Sequence, residues 1–207
     1  LVIYAATRLI DVAELRRIAR FRHSELVLAL STAAAVVLFD VLVGVGIAVA
    51  LSLLDLIRRI SHPHDGVLGH VPGVPGMHDI DDYPTATQVP GLVVYRYDSP
   101  LFFANADDFL ARARKSVADA EQPVRWFLLN AEANVEIDLT AIDMLDQLRV
   151  WLHERGVRLA LARVKQDLRD QLDAAGFLDR LGDDRLYATL PTAVDAYERW
   201  RTTHPEP

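Results

Sequence analysis

The chain has 207 residues, no cysteine and a formal net charge of −7, and 51% of its residues are hydrophobic. This acidic balance argues against a nucleic-acid polymer as a partner, because neutralising phosphates requires clustered Lys and Arg. The lack of cysteine excludes disulfides, thiol nucleophiles and Cys-ligated metals.

The first 24 residues are predicted to hold the end of one helix and then a short amphipathic helix. Residues 1–6 are apolar, with no initiator Met and no basic segment before them, so they do not resemble a signal peptide. We expect them to be the tail of a preceding helix in a longer membrane protein. The next apolar residues share one side at helical spacing: Leu9, Ile10, Val12, Leu15, Ile18 and Ala19. The Arg residues between them can reach lipid headgroups, which predicts a helix in the cytoplasmic membrane interface.

The most apolar stretch runs from Leu26 to Ile57 and holds only two charged residues, Asp40 and Asp55. As a single helix it would measure about 48 Å, which is longer than a bilayer core of about 30 Å. A carboxylate at the centre of such a helix would also be costly in lipid. The stretch therefore predicts two short membrane helices, at residues 25–38 and 44–59, joined by a turn near Asp40.

Basic residues flank this stretch on both sides, with an Arg-rich segment at residues 16–23 before it and Arg58 and Arg59 after it. Cytoplasmic flanks of membrane helices are enriched in Arg and Lys, so both ends are predicted to be cytoplasmic. This topology requires two crossings or a re-entrant hairpin. A buried helical hairpin of a soluble protein is the alternative that the sequence leaves open.

Gly44 and Gly46 superficially match the glycine fingerprint of dinucleotide sites. That fingerprint needs a preceding strand and an acidic residue about 20 positions later, whereas the next acidic residue here is Asp55. The small residues Gly44 and Ala48 instead predict close helix packing in the membrane.

Residues 61–89 are rich in Pro and Gly, contain no Lys or Arg and show no hydrophobic periodicity, which predicts a solvated linker. A short strand at residues 66–71 is expected to pin the linker to the next domain. Four histidines accompany four aspartates in this segment: His62, His64, His70, His78, Asp65, Asp79, Asp81 and Asp82. Their spacing fits no compact ligand pattern, so we expect no metal site here.

Residues 90–203 are predicted to form one α/β domain. Four apolar runs predict strands: residues 92–97, 125–130, 157–162 and 185–188. Four amphipathic segments predict helices: residues 106–117, 140–152, 166–174 and 191–201. Asn105 is expected to cap the first helix. Alternating strands and helices imply a mostly parallel or mixed sheet of about four to five strands with helices packed on it.

The turn Asp138-Leu139-Thr140-Ala141 lies between the central strand and the start of a helix. Unpaired N–H groups and the helix dipole favour negative charge there, so Asp138 or Thr140 can cap the helix and a phosphate would be stabilised. Plain N-capping accounts for the same residues. The turn is therefore either a regulatory site at Thr140 and Asp138 or a structural cap.

The order of elements around this turn resembles a STAS domain, the fold shared by bacterial anti-sigma factor antagonists and the cytoplasmic tail of sulfate permease (SulP) family anion transporters. Three stretches resemble the transporter branch: residues 9–16, 62–69 and 95–106. In antagonist STAS domains the Asp-x-Ser turn holds the phosphorylated Ser, and Thr140 corresponds to it. Two departures weaken the case for a kinase-operated switch and suit a transporter domain: the acceptor is Thr, and Ala141 replaces the Gly that usually follows.

The resemblance implies the C-terminal part of a secondary-active transporter of sulfate or a similar inorganic anion, with the anion site upstream of Leu1. It implies a multi-pass protein of the inner membrane, with a cytoplasmic STAS domain that acts in regulation, folding and dimerisation. The implied partners are membrane lipid, the remainder of the transporter and a second copy of the chain. A nucleotide or a regulatory protein at the STAS surface is suggested by the family alone, and no cofactor is implied. The alternative is a membrane-tethered signalling switch controlled at Thr140.

The sequence shows no catalytic constellation, so the chain is not expected to be an enzyme. Asp143 and Asp146 follow Asp138 closely, but they extend onto the solvated face of a helix and no His accompanies them. His23 and His153 are isolated in the sequence.

Overall fold

The structure, a computed structural model, describes residues 12–21 and 23–205. The chain divides between Arg59 and Ile60 into two units. The helix tail predicted at residues 1–6 lies outside the described residues.

The first unit is helical. Its helices are α1 (Val12–Phe21), α2 (His23–Leu38) and α3 (Val41–Ser61). The predicted turn near Asp40 is confirmed, since α2 and α3 are separated by Phe39 and Asp40. α3 begins at Val41 rather than Gly44, because Asp40 Oδ1 accepts a hydrogen bond from the otherwise unpaired Val41 N–H at 2.7 Å.

Among the described residues, α3 is the helix that is both long and apolar enough to cross a membrane, and Glu25–Leu38 is a shorter apolar helix. The two helices approach closely at Gly44. A Cβ placed on Gly44 would lie 2.7 Å from the Cα of Val36. The predicted close packing at Gly44 is thereby confirmed, because only a residue without a side chain leaves room for the facing backbone.

A six-stranded sheet forms the centre of the second unit. Its strands are β1 (Asp65–His70), β2 (Met77–Asp79), β3 (Leu92–Tyr97), β4 (Trp126–Asn130), β5 (Arg158–Ala162) and β6 (Leu186–Tyr187). They lie in the order β2-β1-β3-β4-β5-β6. β3 to β6 are parallel, and β1 is antiparallel to both of its neighbours. The predicted mixed, mostly parallel sheet is confirmed, with six strands rather than four to five.

Helices cover both faces of the sheet: α4 (Ala106–Ala118), α5 (Leu139–His153), α6 (Gln166–Ala174), α7 (Phe177–Leu181) and α8 (Leu190–Thr203). Successive residues of a strand point to opposite faces, so each central strand supplies two clusters. Phe127 and Leu129 of β4 pack with residues of α4 to α7. Trp126 and Leu128 pack on the other face with Tyr197 of α8.

The segment at residues 61–89 was predicted to be a solvated linker, but it contributes two strands, β1 and β2, to the sheet. The strand expected at residues 66–71 is confirmed as β1. Arg112 of α4 pairs with Asp65 at 2.5 Å, and the Tyr95 hydroxyl donates to the same carboxylate at 2.7 Å. Burial and the hydrogen bond to Asp65 raise the pKa of Tyr95 far above its usual value, so the phenol stays a donor. Gly66 leaves room for Asp79 at this edge, because a Cβ there would lie 2.0 Å from Asp79 Oδ2 and would displace that buried side chain.

The histidines of the same segment make local contacts. His64 Nε2 lies 3.1 Å from Asp79 Oδ2, and His78 Nε2 lies 3.0 Å from the carbonyl oxygen of Pro75. Within residues 12–21 and 23–205, no group of three or more His, Asp or Glu side chains is placed to hold a metal ion.

Candidate functional site at the Asp138 turn

Asp138 holds the start of α5 immediately after the turn that follows β4. Its Oδ1 accepts a hydrogen bond from the Ala141 N–H at 2.8 Å, which satisfies one of the orphan donors of the helix. Its Oδ2 accepts from the Phe103 N–H, also at 2.8 Å. Capping, expected of Asp138 or Thr140, is thus confirmed for Asp138. The same carboxylate ties the helix start to the loop after β3.

Thr140 lies in the first turn of α5, two residues after Asp138, and its side chain is exposed. Its hydroxyl forms no hydrogen bond with any of the described residues. A phosphoryl group on it would be favoured by the positive end of the helix. The neighbouring carboxylate of Asp138 would repel that group, so a modification here would disturb the cap.

Buried Asn134 fixes the turn that leads to Asp138. Its side chain is 1% exposed, and its Nδ2 donates to the carbonyl oxygens of Tyr97 at 3.1 Å and Ser99 at 2.6 Å. These two carbonyls belong to the end of β3 and the loop after it. Asn134 therefore joins the two loops at the carboxyl edge of the parallel strands.

Asn105 occupies the N-cap position of α4 but its side chain does not cap the helix, so that expectation was wrong. The fully buried amide is used inside the loop instead. Its Oδ1 accepts from the Phe102 N–H at 2.9 Å, and its Nδ2 donates to the Pro100 carbonyl oxygen at 2.9 Å. The amide of Asn105 bonds the loop backbone rather than the N–H groups of α4, because the buried polar groups of the loop need hydrogen-bond partners.

Two apolar side chains flank the capping carboxylate and were not identified from the sequence. Phe103 is 71% exposed and Leu139 is 74% exposed. Phe103 lies in an apolar run and Leu139 lies at the start of a helix, and both patterns predict burial. The hydrophobic periodicity therefore gives no sign that these two side chains are exposed.

These observations define the class of the molecule: an α/β domain with an exposed turn after its central parallel strand, in one chain with an apolar helical hairpin. The family model for the STAS domain matches residues 83–193, and the chain belongs to the STAS domain family.

The chain is similar to curated sulfate transporters. It is 63% identical over 199 residues to the probable sulfate transporter Rv1739c of Mycobacterium tuberculosis, covering 96% of this chain and 36% of that protein. It is 26% identical over 204 residues to sulfate transporter 1.3 of Arabidopsis thaliana, covering 95% of this chain and 31% of that protein. The chain thus spans about a third of the length of these relatives.

Solved structures share the fold. The murine anion transporter Solute Carrier 26 family member A9 in its inward-facing state matches with a TM-score of 0.81 at 18% identity, over 91% of this chain and 31% of that chain. The crystal structure of a sulfate transporter family protein from Wolinella succinogenes matches with a TM-score of 0.50 at 25% identity, over 61% of this chain and 99% of that chain.

Proposed function

We propose that this chain is the C-terminal portion of a secondary-active transporter of sulfate or a similar inorganic anion. The observation that carries the proposal is the 63% identity, over 96% of the chain, to a probable sulfate transporter. The helices support it, because large apolar side chains of α2 and α3 such as Val37 and Leu42 are 84% and 82% exposed. Side chains of this kind require lipid or further protein around them.

In this proposal, residues 1–60 are the last membrane helices and an interfacial helix, residues 61–89 are a cytoplasmic linker, and residues 90–203 are the STAS domain. Arg58 and Arg59 near the end of α3 support a cytoplasmic STAS domain at the inner membrane, by the enrichment of basic residues on that side. The STAS domain contributes to folding, dimerisation and regulation of the transporter. Its partners are membrane lipid, the rest of the transporter and a second copy of the chain.

The test is uptake of radiolabelled sulfate by bacteria that lack their own sulfate import. The cells carry either the complete parent gene or a version truncated after Arg59. We expect uptake from the complete gene and a strong loss on truncation, because the second unit supports the membrane part. Membrane levels of both proteins are matched by quantitative immunoblotting.

A panel of competing anions accompanies the measurement. If a single competing anion suppresses sulfate uptake, that anion would be assigned as the preferred substrate of the transporter. A complete protein that reaches the membrane but moves none of the anions in the panel would contradict the proposal.

The second candidate function is a membrane-tethered signalling switch controlled at Thr140. The observation that favours it is the exposed Thr140 in the first turn of α5, two residues after the capping Asp138, with no hydrogen bond from its hydroxyl to any described residue. A nucleotide or a regulatory protein at this surface is the partner that the family suggests. The two functions differ in the parent protein, since a transporter needs many further membrane helices and a tethered switch needs none.

We predict that Thr140→Glu in the complete protein changes sulfate uptake by about fivefold or more, the lower end of typical coupling between distant sites. The added charge lies two residues after Asp138 in the same helix turn, so we expect it to perturb the cap and the loop bonded to it. Uptake kinetics and membrane levels of the variant give the measurement.

Thr85→Glu is the matched control, because Thr85 is also an exposed Thr but lies in the loop before β3. It adds the same charge away from the turn and should leave uptake unchanged. If Thr140→Glu also left uptake unchanged, the turn would have no part in regulation.

A further inference from the structure

A small cleft lies at the edge of the sheet opposite the Asp138 turn, where the parallel strand β5 begins. Its volume is about 260 Å³, and its charged or titratable lining side chains are Arg149, His153, Arg158 and Arg185. None of the described residues that line it carries a carboxylate. The cleft therefore presents cationic groups from the end of α5, the start of β5 and the approach to β6.

The carboxylates near the cleft are shared between more arginines than they can neutralise. Asp146 contacts Arg149 at 2.7 Å and Arg180 at 3.3 Å. Burial raises the pKa of Asp146, but hydrogen bonds and charge from Arg149 and Arg180 outweigh it and hold that pKa below its usual range. Asp146 is thus ionised at neutral pH and contributes one full negative charge.

Asp184 is shared in the same way. It contacts Arg158 at 3.1 Å and lies 4.0 Å from the Nε of Arg185. Arginine stays charged at any physiological pH. Two carboxylates, Asp146 and Asp184, thus contact the three arginines that line the cleft, and Asp146 is also shared with Arg180.

Arg185 also has unused hydrogen-bonding capacity. Its Nε is buried from solvent and has no hydrogen-bond partner among the described residues, although its side chain as a whole is 27% exposed. A buried donor without a partner is costly, and it becomes favourable only when an acceptor reaches it. The guanidinium fork is well matched to planar pairs of oxygen atoms in carboxylates, sulfates and phosphates.

We propose that this arginine cleft binds a divalent tetrahedral oxoanion such as sulfate or phosphate. The three lining arginines share only Asp146 and Asp184, which suits an anion that carries more than one negative charge. Its volume lies below the range of about 300–1,000 Å³ that is usual for drug-sized ligands, which suits a small anion with its water molecules. The site belongs to the second unit alone, so it does not depend on the transport function proposed above.

A purely structural role is the competing explanation. Arg149 lies near the C-terminal end of α5, where a cation is stabilised by the helix dipole without any ligand. The two explanations differ in one measurable property, because only the binding site takes up sulfate in a saturable way.

The test is equilibrium dialysis of the full chain in detergent micelles against radiolabelled sulfate. Phosphate and chloride serve as competitors. We expect saturable binding that phosphate displaces and chloride does not. Displacement by unlabelled sulfate but not by phosphate would assign the site to sulfate, and both results support the proposal. Lack of saturable binding of either sulfate or phosphate would overturn it.

Two variants each remove one guanidinium group from the cleft: Arg149→Gln and Arg185→Gln. We expect each to weaken sulfate binding at least about tenfold, as the loss of a charge-assisted hydrogen bond implies. Asp146 keeps Arg180 and Asp184 keeps Arg158 in these variants, so neither carboxylate is left alone. The matched control is Arg163→Gln, which removes the same charge just after the opposite end of β5, from an exposed pair with Glu132. The control should bind sulfate as the parent chain does.

Thermal unfolding of each variant separates lost binding from lost folding. If either Gln variant fails to fold, the corresponding Lys variant keeps the charge but not the fork and is tested in its place. Sulfate affinity that is the same in both folded cleft variants and in the parent chain would overturn the proposal.

Discussion

Phe127→Ala is expected to lower the free energy of unfolding of the second unit by about 3–5 kcal/mol, as for other buried aromatic truncations. The side chain is fully buried in β4, the strand at the centre of the parallel part of the sheet. Its ring lies 5.5 Å from that of Tyr95 on β3, centroid to centroid. A cavity here removes contacts with Tyr95 and with the apolar cluster on this face of the sheet. Such a loss is a large share of the about 5–15 kcal/mol that is the net stability of a typical domain.

The measurement is urea unfolding of the full chain in detergent, followed by tryptophan fluorescence. All three tryptophans of the chain, Trp126, Trp151 and Trp200, lie in the second unit, so the signal reports its unfolding alone. Phe127→Leu retains most of the volume and should cost less than about 1.5 kcal/mol.

Phe103→Ala is the matched surface control for the same truncation. Phe103 is 71% exposed, so its loss should change the unfolding free energy by no more than about 0.5 kcal/mol. Equal effects of Phe103→Ala and Phe127→Ala would contradict the assignment of β4 to the centre of the core.

The parallel strands and the helical hairpin were predictable because their signals are local. Residues 126–130 are apolar at every position but the last, as expected for a strand covered on both faces, and all five are buried. The hairpin followed from the length of the apolar stretch and the charge at Asp40. The cap at Asp138 followed from residue type and position, since carboxylates are preferred at helix starts.

The antiparallel edge of the sheet was only partly predictable, because its stability comes from distant residues. β1 is short and contains two glycines, so its own sequence has weak strand propensity. Asp65 of β1 is bound by Arg112 of α4 and Tyr95 of β3, which lie 47 and 30 positions away in the sequence. No local pattern shows such pairings. The sequence predicted β1 but not β2.

The arginine cleft was invisible in the sequence for the same reason. The arginines of the cleft come from three separate parts of the chain: Arg149, Arg158 and Arg185. From the sequence, each of them is predicted to be an ordinary solvated cation. The parallel topology brings the starts of β5 and β6 to one edge, and α5 ends at the same edge. Only this arrangement shows that the carboxylates nearby are too few to balance them.

Asn134→Ala is expected to lower the free energy of unfolding of the second unit by about 1–3 kcal/mol, because it leaves one buried carbonyl group without a donor. The carbonyl oxygens of Tyr97 and Ser99 accept from Asn134 at 3.1 and 2.6 Å. The Tyr97 oxygen keeps a second donor, the Ser99 N–H at 3.0 Å, so the Ser99 oxygen is the one that loses its partner. Urea unfolding followed by tryptophan fluorescence gives the value. A change within about 0.5 kcal/mol of the parent chain, the range of ordinary surface substitutions, would show that the amide is dispensable.

Asn134→Asp separates the hydrogen bonds from the packing, since it keeps the shape but replaces the donor with a carboxyl group. At neutral pH an ionised carboxylate would face two carbonyl oxygens in a site that is 1% exposed, so the variant should be at least as unstable as Asn134→Ala. Burial would raise the pKa of the introduced carboxyl group above its unfolded value, and protonation then makes it a donor again. The stability deficit relative to the parent chain should therefore shrink as the pH falls through that raised pKa.

Because Asn134 precedes Asp138 in the same turn, its loss should also expose the N-terminal amides of α5 to faster hydrogen exchange. An exchange rate at Ala141 equal to that of the parent chain would show that the capping carboxylate of Asp138 holds the turn without Asn134.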